Sequence, residues 1–117
     1  MNDLLIVSGA SRGIGRVILE DNLKLYKNII ALGSSKKILE LKKISNKIKI
    51  IRINIINFKK TKNILVKELS KINSLKTISI VLCASQLGSK TNFFKSNLSE
   101  WSKLYSINLL GNINLIL

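Results

Sequence analysis

The chain has 117 residues, enough for one domain with a real core and too few to expect two, so residues 1–117 are read as a single unit. It carries one cysteine and no histidine, which excludes an intrachain disulfide and a Cys/His zinc site and leaves no metal expected. The formal net charge of +14 is spread along the chain among Ile and Asn without aromatic interleaving, which indicates a solvated surface rather than a nucleic-acid footprint. No membrane-length apolar run or signal peptide is evident, so a cytoplasmic location is expected.

Leu4-Leu5-Ile6-Val7 is an apolar run ending in Ser8-Gly9-Ala10-Ser11, as a strand buried on both faces would. From Ile14 onward, Ile14, Val17, Ile18 and Leu25 recur at helical spacing with Arg16, Glu20 and Lys24 between them, predicting a helix packed on the sheet. Asn28 to Leu32 reads as a second buried strand, broken at Gly33-Ser34-Ser35 and followed by a short helix marked by Ile38, Leu41 and Ile44. Lys49 to Ile55 gives a third strand whose partial alternation suits the margin of a sheet. Phe58 to Leu75 predicts an amphipathic helix with Phe58, Leu65, Leu69 and Ile72 inward. Thr77 to Leu82 is a fourth strand, Ser85 to Asn97 a polar loop containing Gly88, and Leu98 to Leu117 a last helix with Ser96 or Asn97 as its N-cap. Alternation at this spacing requires parallel strands and right-handed crossovers, and so an α/β, Rossmann-like doubly wound parallel sheet of about four βα units.

The segment Ser8-Gly9-Ala10-Ser11-Arg12-Gly13-Ile14-Gly15 lies between the first strand and the first helix. Glycine lets the backbone turn and approach a pyrophosphate, and the helix N-terminus offers unpaired N–H groups at the positive end of its dipole. A glycine-rich turn is also a common plain strand-to-helix connection. The Gly-x-x-x-Gly-x-Gly spacing, with Ser8 where a Thr is usual, resembles the cofactor loop of the short-chain dehydrogenases/reductases, and the resemblance extends along the chain with uneven specificity.

The resemblance implies an oxidoreductase that moves a hydride between a nicotinamide cofactor and a carbonyl or secondary alcohol. It implies that Gly9, Ser11, Arg12, Gly13, Ile14 and Gly15 hold the cofactor. An acid after the second strand usually selects NAD in that family; Gly33 and Ser34 stand there instead, and with Arg12 and Lys36 nearby NADP(H) is favoured over NAD(H). In a chain so basic, Arg12 and Lys36 are also readable as surface charge, and the missing acid is the stronger evidence. Asn54 takes the place of an Asp that contacts the adenine amino group, with Ile55 packing beside it; the other reading of Asn54 is a strand-end residue bonded to local backbone. Leu82-Cys83-Ala84-Ser85 replaces the family's Asn-Asn-Ala-Gly, so only Ala84 matches, and Cys83 reads as a small buried hydrophobe.

Trp101 followed by Ile107-Asn108-Leu109-x-Gly111 follows the family pattern, and Asn108 matches the tetrad Asn that holds a proton-relaying water. Spacing places it on one stripe with Trp101 and Leu104, where its amide needs partners; the alternative is an Asn bonded within the core. The family's Tyr-x-x-x-Lys is absent, since Tyr26 is followed four residues on by Ile30 and Tyr105 by Leu109. The chain is thus expected to be a truncated cofactor-binding part, inactive alone, with its fourth strand at an open edge. Expected partners are a small-molecule substrate once completed and a second copy in a homo-oligomer, with neither membrane nor nucleic acid. A non-catalytic dinucleotide-binding or interaction module is the other reading.

Overall fold

The structure, a computed structural model, describes residues 1–86 and 95–116. The expected loop around Gly88 falls largely outside the described residues. Four strands, β1 (Asn2–Ser8), β2 (Tyr26–Gly33), β3 (Ile48–Arg52) and β4 (Ile78–Leu82), form one parallel sheet in the order β3-β2-β1-β4. Helix α1 (Gly13–Asp21), a 3-10 helix (Lys36–Lys43) and helix α2 (Phe58–Ser70) lie between successive strands. After β4 come α3 (Leu98–Tyr105), a wide π turn (Ser106–Gly111) and α4 (Asn112–Ile116).

The uninterrupted apolar runs of β1 and β2 follow from burial on both faces. Leu5, Val7, Ile29 and Ala31 point to one face, where Leu19 of α1 and Ile38 and Leu41 of the 3-10 helix cover them. Leu4, Ile6, Ile30 and Leu32 point to the other, under Leu65, with Leu69, Ile72 and Leu115 packed around it. Alternate side chains thus feed two half-cores, each of which removes apolar surface from water. The β3 strand lies at one edge of the sheet, as its partial alternation suggests, and β4 lies at the other.

The stripe expected on α1 is not the packing face. Ile14 is 74% exposed and Val17 55%, while Gly15 and Leu19 are buried. A Cβ on Gly15 would collide with the Gly9 carbonyl and come within 3.2 Å of Cys83 Cβ, so the helix approaches the sheet through a residue with no side chain. A count of apolar side chains cannot register that contact. The helix also stops before Leu25, because the Asn22 side chain donates to the Ile18 carbonyl at 2.7 Å and competes with the next helical turn. Similarly, α2 ends at Ser70 rather than Leu75, Phe58 is 37% exposed, and the segment after β2 winds as a 3-10 helix whose start Ser35 caps by accepting from Lys37 N–H. Asn97 caps α3 by accepting from Glu100 N–H at 2.8 Å.

Candidate nucleotide cleft

The strand order reverses at β1: the chain moves outward through β2 and β3, then returns to the other side of β1 as β4. In open parallel sheets such a switch point leaves a crevice beyond the carboxyl ends of the strands. Here it is a cleft of about 490 Å³, lined by Gly9 after β1, Leu32 and Gly33 of β2, Ile53 to Ile55 after β3, and Cys83 to Gln86 after β4. Ser11, Arg12, Ile14 and Gly15 of the glycine loop form another wall, and Ser34, Ser35 and Ile107 complete it.

Two glycines give the loop its path. Gly9 has φ +67° and Gly13 φ +62°, in the left-handed region that side chains disfavour. A Cβ on Gly9 would sit 2.5 Å from the Cys83 carbonyl oxygen, whereas one on Gly13 would meet nothing within 4 Å. Gly9 is therefore needed for close packing of strand ends, and Gly13 for the turn itself. At the start of α1, Arg12 is extended, no side chain caps the helix, and no acid lies in the first turn. The first-turn N–H groups and the positive end of the dipole therefore face the cleft without a side-chain competitor, a donor set suited to a pyrophosphate.

The side chains expected to hold a nucleotide converge with few exceptions. Gly9, Ser11, Arg12, Ile14, Gly15, Ser34, Asn54, Ile55 and Ala84 all line the cleft; Gly13 lies at its margin, on the outer side of α1. No acidic side chain is among the lining residues. Arg52, which sequence reasoning did not single out, donates from Nε to the Ser34 carbonyl at 3.2 Å and brings a second guanidinium to the end of β2. Asn54 combines its two readings: it lines the cleft, and its Oδ1 accepts from Ile56 N–H at 3.3 Å, so its carbonyl is held by local backbone while its amide N–H groups remain for other uses. Ile55 is buried, close enough to Gly111 that a Cβ there would come 2.7 Å from Ile55 Cγ1.

Asn108 is exposed rather than buried on an inward stripe. The amide nevertheless has partners: Oδ1 accepts from Gln86 N–H at 2.8 Å and Nδ2 donates to the Gln86 carbonyl at 3.0 Å. It thus holds the segment leaving β4 like a strand neighbour. Ser8, fully buried, accepts from Cys83 N–H at 3.2 Å and Ala84 N–H at 3.3 Å and binds the same segment from below. Asn112 and Gln86 are polar residues that sequence reasoning missed, while Ser8, read there only as standing where a Thr is usual, holds this segment. For Asn112 the available signal was a second amide one turn beyond Asn108.

No family model matches the chain, and no curated protein matches it. Solved structures do. A short-chain dehydrogenase from Streptomyces avermitilis superposes with a TM-score of 0.81 at 18% identity, over 98% of this chain and 42% of that one. A short-chain dehydrogenase/reductase from Saccharomyces cerevisiae gives 0.73 at 26% identity, over 99% and 46%. A serine dehydrogenase in complex with NADP+ gives 0.79 at 18%, over 97% and 46%. The chain therefore spans about half the length of the proteins it matches. Its fold, four Rossmann-like parallel strands with their helices, is thus similar to about half of a short-chain dehydrogenase/reductase.

Proposed function

We propose that residues 1–117 form the NAD(P)(H)-binding domain of a short-chain dehydrogenase/reductase acting on a carbonyl or secondary alcohol. The observation that carries this reading is the glycine loop, turned by two left-handed glycines so that an uncapped helix start faces the switch-point cleft. The bound nicotinamide would supply the hydride acceptor or donor. The chain's own part is to hold it: backbone N–H groups at the α1 start on the pyrophosphate, Asn54 and Ile55 at the adenine, and Ala84 at the β4 wall. Asn108 is the one member of the family's catalytic set represented here.

NADP(H) is favoured over NAD(H). Arg12 and Ser34 face the same cleft, Arg52 is bonded at Ser34, and no carboxylate lines the wall to repel a 2′-phosphate. Because the 117 residues contain no Tyr-x-x-x-Lys, hydride transfer by this chain alone is not expected. A second reading, a non-catalytic nucleotide-binding module that pairs with another copy, is favoured by Ile78, Ile80 and Leu82 of the open β4 edge, each more than a third exposed.

The test is a titration of the purified chain with NADPH and NADH, following nicotinamide fluorescence and melting temperature together, since a ligand of the folded state must raise its stability. NADPH should bind more tightly, and Arg12→Ala should weaken NADPH about tenfold while leaving NADH nearly unchanged. A folded chain whose melting temperature neither nucleotide moves would overturn the dinucleotide reading.

A further inference from the structure

The segment leaving β4 has an unusual problem of support. Among the described residues β4 has a strand neighbour only on the β1 side, so the backbone of residues 83–86, which forms one wall of the cleft, has no outer ladder to hold it. On the β1 side Cys83 N–H donates to the Ser8 carbonyl at 3.1 Å, and further polar groups are met by side chains. Asn112, the first residue of α4, donates from Nδ2 to the Ala84 carbonyl at 3.0 Å and to the Asn108 carbonyl at 3.1 Å. Its Oδ1 accepts from Ser8 Oγ at 3.3 Å, which orients that hydroxyl so that its lone pairs receive the Cys83 and Ala84 N–H groups.

One amide therefore joins β1, the β4 exit and the last helical segment. The π turn belongs to this arrangement, because it lies between the tyrosine end of α3 and Asn112 and contains Asn108. Asn108 then grips Gln86 through two bonds while Asn112 grips Ala84, two residues earlier. The short helical segment meets the backbone of residues 84–86 with side-chain amides in place of a backbone ladder.

Building on the nucleotide reading above, we infer that Asn112 is a positioning residue of the cleft, setting the β4 wall through Ser8 and Ala84 and the Asn108 backbone through its second N–H. It is not among the residues lining the cleft, and its effect is carried by the residues it holds.

The experiment compares wild type, Asn112→Val, Asn112→Asp and Asn114→Ala by amide hydrogen exchange of the free chain and by NADPH titration. Asn114 is the control, since its amide donates to the Phe58 carbonyl away from the cleft. Asn112→Val should speed exchange at the Ala84 and Gln86 amides about tenfold and weaken NADPH by a similar factor, with the β2 amides unmoved. Asn112→Asp keeps the acceptor for Ser8 but sets a carboxylate oxygen against the Ala84 and Asn108 carbonyls in place of both donors, and should loosen the same amides at least as much; it also carries the test if the valine variant does not fold. Wild-type exchange at Ala84 and Gln86 in the Asn112 variants, or equal loosening by Asn114→Ala, overturns the inference. Faster exchange with unchanged NADPH affinity removes its link to the cleft. If wild type itself ignores NADPH, the nucleotide reading fails, while the exchange comparison still decides whether Asn112 sets the wall.

Discussion

Gly9 and Gly13 share a left-handed backbone, yet a side chain would be resisted at each for a different reason. At Gly9 the new carbon meets the Cys83 carbonyl as well as an unfavourable φ, so Gly9→Ala should cost about 3 kcal/mol or more in denaturant melts. At Gly13 only φ opposes it, and Gly13→Ala should cost about 1 kcal/mol while weakening NADPH, because the loop no longer turns freely. The glycine spacing made this loop legible from sequence. The partners of Asn108 were not, since they are backbone atoms of a segment distant in sequence. Asp3 offers a separate test. Its carboxylate accepts from Lys76 and Thr77 N–H, with Lys27 nearby, and these interactions hold its pKa below the ordinary value, the Lys76 bond most strongly. A depressed folded-state pKa gives stability that is full above the unfolded value and is lost as pH falls through the folded one. Thermal melts should therefore show Asp3→Asn less stable than wild type near neutral pH, with the gap closing below about pH 4.

The starts of α1 and α3 differ, and the difference can be measured. The α1 start has no side-chain cap, whereas α3 begins on Asn97, which accepts from Glu100 N–H. Asn97→Ala should cost about 1 kcal/mol, read as faster exchange confined to residues 98–105, with α1 unaffected. Sequence periodicity located the four strands in order, because parallel strands buried on both faces must be continuously apolar, but it read one last helix where α3, a π turn and α4 follow one another. It misjudged the inner face of α1, where contact is made by Gly15, and it carried two helices too far. Asn22 bonding back to Ile18 ends the first of these, a side-chain event that hydrophobic spacing does not encode.

On the scale of the molecule, large apolar side chains stay uncovered on several elements. Ile14 and Val17 of α1, the β4 edge, and Trp101 and Tyr105 of α3 are all exposed, although the chain carries a charge of +14. Like charge opposes association and apolar patches favour it, so self-association should strengthen as salt screens the repulsion. Ile80→Lys with Trp101→Glu should reduce concentration-dependent association in sedimentation runs while leaving the melting transition intact. Four βα units and an exposed fourth strand were legible in the chain's alternation; the order β3-β2-β1-β4 and the particular side chains left bare were not, because they depend on tertiary packing. The wide turn at residues 106–111 carries a last consequence, for chain length. A helical residue occupies about 100° of arc, so removing one residue there would swing Asn112 away from both Ser8 and Ala84. Asn108 and Gly111 are fixed in that stretch by what they touch, and beyond their identity the number of residues sets the phase of everything that follows, and the phase is what meets the sheet.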